Sequence, residues 1–260
     1  MRVVSQTVGS DELLLALARP EQIVALSRLA IEPAYSAVAE QAKGYPHLDR
    51  EDSVEGILKH RPTLVLFANY SRVELVTQVQ RAGIPTLVFD RYSTLDEAYA
   101  NLHRLAAALG PEAQTRARSI EADGRTRVRA LAARLAGHSQ VRVIAPSIYG
   151  PIAGAESNFQ DLCDHAGADN LAASLGHLRG FALPPEEQML TWPIEKVVLA
   201  GPDREQALAQ LRELSPYRFM PVVREGRTAL LGQHQLGCIS HRRVEGYEQL
   251  ARELHPEAFP

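Results

Sequence analysis
The most constraining feature of this sequence is an alternation of short β-rich runs with helix-patterned segments, the signature of βα units around parallel strands. In the first half, strands are expected at Arg2 to Ser5, Gln22 to Leu26, Leu64 to Phe67 and Thr86 to Phe89. Between them lie helical patterns at Asp11 to Leu17, Ser53 to His60, Val73 to Ala82 and Leu95 to Leu109, and the hydroxyl of Ser10 is placed to cap the first. Pro62 and Pro85 stand just ahead of strands, where a missing N–H costs least. Gly110-Pro111 then stops one helix and opens the next. From Glu112 to Leu135 the chain is dense in Ala, Arg, Glu and Leu with only Gly124 as a turn signal, which predicts one helix about 36 Å long. Beyond Gly137 the alternation restarts, with strands at Val141 to Ala145, Lys196 to Leu199 and Thr228 to Leu231. The helices of this half fall at Asn158 to Ala166, Glu186 to Thr191, Glu205 to Leu214 and Val244 to Leu254. The expected organisation is therefore α/β throughout: an N-terminal lobe over 1–109, a connecting helix over 110–137 and a C-terminal lobe over 138–260.

Composition narrows the function classes. The 260 residues are 45% hydrophobic and 23% charged, enough for a sizeable core. A net charge of −3 argues against a nucleic-acid binder driven by bulk electrostatics. No apolar stretch approaches the roughly 20 residues of a spanning helix, and no secretory h-region follows Arg2, so the chain reads either as cytoplasmic or as a mature form with an added Met1. Cys163 and Cys238, the two cysteines, form either one bridge or two buried thiols, and make neither a disulfide framework nor a four-thiolate zinc site.

Motifs for common α/β chemistries are missing. The sequence contains no G-x-x-x-x-G-K-[ST], no G-x-G-x-x-G, no G-x-S-x-G and no H-E-x-x-H. The densest set of reactive groups is Gly232 to Arg243, which brings His234, Cys238 and His241 after a strand, either as a cytoplasmic enzyme site or as a polar loop before the last helix. More suggestive are aromatics just past strand ends, where open α/β sheets bind ligands. Tyr70 follows Phe67, Tyr92 follows Phe89 and Tyr149 follows Ala145, as pocket linings or as packing rings with satisfied hydroxyls.

Several segments in sequence order resemble the metal-chelate substrate-binding proteins of ABC importers, which carry cobalamin, siderophores and haem. Arg2-Val3-Val4-Ser5 with Asp11-Glu12-Leu13-Leu14 and Gln22-Ile23-Val24-Ala25 is similar to the family's opening. Val54 to Leu66 is similar to its "E-x-I-L-x-L-K-P-D-L-V" segment, and Ala82-Gly83-Ile84-Pro85 to its "A-G-I-P" step into a strand. Ala166-Gly167-Ala168-Asp169-Asn170-Leu171-Ala172 resembles "A-G-G-x-N-x-A", and Glu248 to Ala251 with His255-Pro256 is typical of the close. The resemblance implies two Rossmann-like lobes joined by one long rigid helix, with the ligand in the cleft between them. It also implies a non-enzymatic, periplasmic and monomeric protein whose signal peptide has been removed, with no permanent cofactor, delivering a cobalamin- or iron-siderophore-like metal chelate to an ABC permease dimer, with a haem-specific carrier of the same fold as the alternative.

Residue by residue, the resemblance assigns permease docking to Glu74 and Glu187 and ligand contact to Phe181 and Arg242, which join the strand-end rings Tyr70, Tyr92 and Tyr149 as the expected ligand-binding set. Where cobalamin-binding members carry a tryptophan after the third strand this chain has Ala68, and Phe181 falls near their second one. Trp192 aligns with a helix end and is expected in the core. Gly44-Tyr45 ahead of Glu55-Gly56-Ile57-Leu58 is similar to the segment that supplies a tyrosinate iron ligand in haem-binding members, but the spacing is longer and the usual arginine after the tyrosine is missing. Tyr45 is thus the metal ligand if the cargo is haem, and Arg242 offers a fork of donors for a carboxylate or phosphate.

Overall fold
The computed structural model describes residues 1–49, 53–147 and 149–259. By its internal contacts the chain divides into two units, Met1–Asp123 with Ile239–Arg242, and Gly124–Cys238 with Arg243–Pro260.

The first unit runs β1 (Val3–Ser5), α1 (Val8–Leu17), β2 (Ile23–Ala25), α2 (Ala39–Ala42), α3 (Val54–Leu58), β3 (Leu64–Ala68), α4 (Val73–Arg81), β4 (Thr86–Phe89) and α5 (Leu95–Leu109). Its four strands form a parallel sheet in the order β2-β1-β3-β4. Helices cover both faces, so β1 and β3 are buried along their whole length and read as continuous apolar runs rather than alternating ones. Val4, Val65 and Phe67 meet Ile57, and Leu75 and Val79, one turn apart on α4, close the same core.

Helix α1 begins three residues earlier than expected. Thr7, not Ser10, is its N-cap: Thr7 keeps an extended backbone and accepts from the Ser10 N–H, while Ser10 returns a bond to the Thr7 N–H. Gly9 in its first turn leaves room for Ile239, whose side chain lies 2.3 Å from where a Cβ would stand.

Helix α6 (Pro111–Leu135) passes unbroken through Gly124, as its composition predicts. Gly110, at φ 110°, ends α5 in a conformation that disfavours any side chain. Ala113 and Ala117 bury the first half of α6 in the first unit, where Arg116 also donates to the Leu17 carbonyl at 2.9 Å. The second half belongs to the second unit, where Arg127 grips Glu248 through two bonds of 2.9 and 2.8 Å.

The second unit continues with β5 (Val141–Ile144), β6 (Ile152–Ala153), α7 (Asn158–Ala166), β7 (Ala168–Asn170), α8 (Leu171–Ser174), β8 (Phe181–Ala182), α9 (Glu186–Met189) and β9 (Lys196–Ala200). It closes with α10 (Arg204–Arg212), α11 (Pro221–Arg224), β10 (Thr228–Leu231), α12 (Gln233–Leu236) and α13 (Arg243–Leu254). A parallel sheet of order β10-β9-β5-β7 is joined by an antiparallel β6-β8 ribbon. β7 and the ribbon were not expected from the sequence, since two or three residues with little β-branching carry no periodic signal. Gly154 marks the ribbon: a Cβ there would lie 2.3 Å from the Leu178 carbonyl oxygen, so the backbones approach only because it is glycine.

Trp192 packs against the core of this unit, as expected, and its ring lies 2.7 Å from where a Cβ on Gly176 would stand. The other anchor is a buried charge cluster. Arg243, 1% exposed, donates to Asp161 at 2.7 Å and to the Cys238 carbonyl at 3.0 Å, and the Tyr247 hydroxyl donates to the same Asp161 oxygen. His165 stacks on Tyr247 with centroids 4.3 Å apart. Cys163 and Cys238 are separate buried thiols, and burial holds the Cys163 thiol well above its ordinary pKa.

Candidate ligand-binding site
Both parallel sheets reverse their winding direction at one point, and in open α/β sheets the crevice for ligands opens there, at the carboxyl ends of the strands. In the first unit the reversal lies between β1 and β3. The loops leaving these strands are tied together: Ser71 donates from Oγ to Gln6 Oε1 at 2.7 Å, and the Gln6 N–H donates to the Leu66 carbonyl at 3.1 Å. The loop after β4 joins them, because the Tyr92 hydroxyl donates to Asn69 Oδ1 at 2.6 Å and Asn69 Nδ2 donates to the Asp90 carbonyl at 3.1 Å. This places Tyr70 edge-on against Tyr92, with ring centroids 6.1 Å apart and planes at 80°.

Tyr70 leaves 58% of its surface open to solvent, yet its hydroxyl lies against the side chain of buried Thr7. Loss of water around that hydroxyl pushes its pKa up to about 12, and burial also raises that of Tyr92. Both phenols therefore stay protonated at neutral pH and offer ring surface rather than anionic oxygen. Beneath them, α1 carries Asp11 and Glu12, both buried. Asp11 Oδ1 accepts the Ser27 N–H at 3.1 Å and Oδ2 lies 2.5 Å from Ser27 Oγ. Burial drives the Asp11 pKa from 3.8 to about 8. Glu12 accepts from the Ser240 hydroxyl.

In the second unit the reversal lies between β5 and β9. The loop after β5 presents Tyr149, 86% exposed, on a turn in which the Gly150 N–H donates to the Ser147 carbonyl at 3.1 Å. Gly150 lies against Leu183, which puts this loop beside the exposed segment holding Phe181 and Leu183. Phe181 pairs with Ala153 in the ribbon, so a short strand fixes its direction.

The remaining sequence candidates fall elsewhere. Tyr45 is half-buried between α2 and α3, and the flanking backbone is pinned past the end of β2 by bonds from the Leu26 N–H to the Pro46 carbonyl and from the Leu48 N–H to the Leu26 carbonyl. Arg242 is half-buried just ahead of α13, and the fully enclosed guanidinium at that helix start is that of Arg243, committed to Asp161. Glu74 and Glu187 are exposed in the first turns of α4 and α9, a favourable place for any carboxylate. The enzyme reading fails on chemistry. Burial lowers the His241 pKa to about 4, so it is a weak base at neutral pH, and Cys238 is buried.

The chain belongs to the family described as "Periplasmic binding protein", which matches residues 3–234. It is a binding protein rather than an enzyme, and its two parallel-sheet units with helix α6 running from one into the other share the fold of solved periplasmic binding proteins. Among solved structures it resembles the periplasmic heme-binding protein RhuT from Roseiflexus sp. RS-1, with 22% identity, a TM-score of 0.84, and coverage of 99% of this chain and 98% of that one. A periplasmic heme-binding protein from Pseudomonas aeruginosa shows 24% identity and a TM-score of 0.81 over 100% of this chain and 94% of that one. Helicobacter pylori CeuE in complex with Ni-His gives 19% and 0.76 over 99% and 84%. No curated protein matches the sequence. Among the described residues no helix is long and apolar enough to cross a membrane.

Proposed function
We propose that the protein is the periplasmic solute-binding component of an ABC importer and that its cargo is haem. The observation that carries this is the presence of uncharged rings on the loops past the strand ends of each sheet: exposed Tyr70 edge-on against half-buried Tyr92 in one unit, and in the other exposed Tyr149, whose neighbour Gly150 lies against Leu183 in the segment that also exposes Phe181. Wide apolar faces of a macrocycle call for flat ring surface, and the protonated phenols supply it without the cost of burying charge. The resemblance to haem-binding proteins of Roseiflexus and Pseudomonas supports haem over other chelates. Ala68 supports it too: it is 1% exposed, so the position of the cobalamin binders' tryptophan offers no stacking surface here. Tyr45 supplies the iron ligand, Arg242 pairs with a propionate, and Glu74 and Glu187 dock on the permease dimer, with the binding protein itself a monomer.

Haemin titrations of three variants test this reading. Tyr70→Ala and Phe181→Ala should each weaken binding by about 10- to 100-fold. Tyr45→Phe should erase the ferric phenolate charge-transfer band while leaving the circular dichroism of the fold intact. Unchanged affinity in both ring variants, or an unchanged spectrum in Tyr45→Phe, would remove the corresponding assignment.

A further inference from the structure
We propose a divalent-metal site of the Zn²⁺ class in the second unit, built by His138, His255 and Glu257 at the end of its sheet opposite the ring-bearing loops. His138 lies in the turn between α6 and β5, His255 follows α13, and Glu257 sits in the short helical turn Pro256–Ala258. One ligand atom from each lies within 4.8 Å of the others. Glu257 Oε1 is 3.2 Å from His138 Nδ1 and 3.6 Å from His255 Nδ1.

The tautomer of His255 singles this cluster out. Its Nε2 lies 2.9 Å from the Gly167 carbonyl oxygen, which only accepts, so Nε2 carries the hydrogen. With Nε2 so committed, Nδ1 is the ring atom left to face Glu257 Oε1, an arrangement in which a cation shared between the two atoms can sit. A ring N–H given to a backbone carbonyl is also the usual way a metal-ligating imidazole is oriented. The support is built in: Gly167, in the left-handed conformation that ends α7, has no side chain, and a Cβ there would come within 2.8 Å of His255 Nε2. His255 is 2% exposed, so its ring is locked, whereas His138 and Glu257 face solvent and leave an entry path. Two imidazoles and one carboxylate are borderline donors suited to Zn²⁺, with the fourth position left to water.

A metal here would clip the end of α6 to the C-terminal segment. That segment is already held by Phe259, whose ring lies 5.0 Å from the Arg134 guanidinium and 4.8 Å from that of Arg252.

The experiment uses the tag-free full chain, stripped with chelator and titrated with ZnCl₂ by calorimetry alongside equilibrium dialysis with elemental analysis. One Zn²⁺ per chain and a raised Tm are expected. His138→Ala and Glu257→Gln alter exposed side chains and should leave the metal-free Tm unchanged, while each weakens Zn²⁺ binding at least about tenfold. X-ray absorption of the loaded protein should show a nitrogen and oxygen shell containing two imidazoles. No stoichiometric Zn²⁺, or equal affinity in both variants, would overturn the proposal and leave the cluster as plain ion pairs of protonated imidazoles.

Discussion

Replacing Asp11 with asparagine should stabilise this protein, and the gain should grow with pH. Asp11 is fully buried beside Glu12, and the hydrogen bonds of Ser27 and Ser5 do not offset the loss of water, so the folded state keeps the proton up to about pH 8. The unfolded chain releases it near 3.8. Between those values the folded state binds more protons than the unfolded state, so stability is highest in acid and falls as pH rises, by up to ~1.4 kcal/mol per pH unit. At pH 7 the accumulated loss is on the order of 4 kcal/mol, an upper bound because burial is rarely perfect. Asparagine copies the protonated acid: its amide N–H replaces the acid O–H toward Ser27 Oγ, and its oxygen still accepts the Ser27 N–H. Urea unfolding of both proteins from pH 4 to pH 8.5 measures the effect. The curves should nearly coincide at pH 4 and diverge above pH 5, with Asp11→Asn the more stable. A variant less stable than the parent at pH 7, with no convergence in acid, would show that Asp11 is ionised and held by its serines.

Reversing both docking candidates, Glu74→Arg with Glu187→Arg, should change stability by no more than about 0.5 kcal/mol per site because both are exposed, while uptake in cells falls. Intact uptake with the partner permease confirmed would remove the docking role. Arg243→Met should cost about 3 to 5 kcal/mol by leaving Asp161 buried without its cation, and adding Asp161→Leu should recover most of the loss, both read from urea unfolding. A single variant as stable as the parent would show that the Arg243–Asp161 pair contributes nothing to the fold.

The sequence made the βα alternation legible because the buried strands are long enough, and apolar enough, to stand out. The Gly110-Pro111 junction was equally plain, since a left-handed glycine and a helix-opening proline each have a local cause. What escaped was non-local. The need for glycine at position 9 of α1 comes from Ile239, far away in sequence, which occupies the space a side chain would take. Strand β7 is recognised by its pairing with β5, and the β6-β8 ribbon by pairing across a long sequence gap, with Gly154 letting the backbone just past β6 approach Leu178. The ring positions Tyr70, Tyr92 and Tyr149 followed from their spacing past strand ends, but their relation to the winding reversals required the strand order. Asn69, which fixes Tyr92, and the Asp11–Ser27 pair beneath α1 carry no motif at all. Arg242 and Arg243 show the limit of a linear match: neighbours in sequence, one is half-buried and the other fully enclosed in a charge cluster.

Cargo identity decides the proposed role. Absorbance titration of the purified, ligand-free protein with haemin, paired with calorimetry against cobalamin and a ferric siderophore, tests it most directly. The account predicts saturable haemin binding with a shifted Soret band and a ferric phenolate charge-transfer band, and markedly weaker binding of the other two. Tight binding of cobalamin or the siderophore in place of haemin would contradict the cargo, and no measurable binding of any of the three would contradict the metal-chelate reading itself.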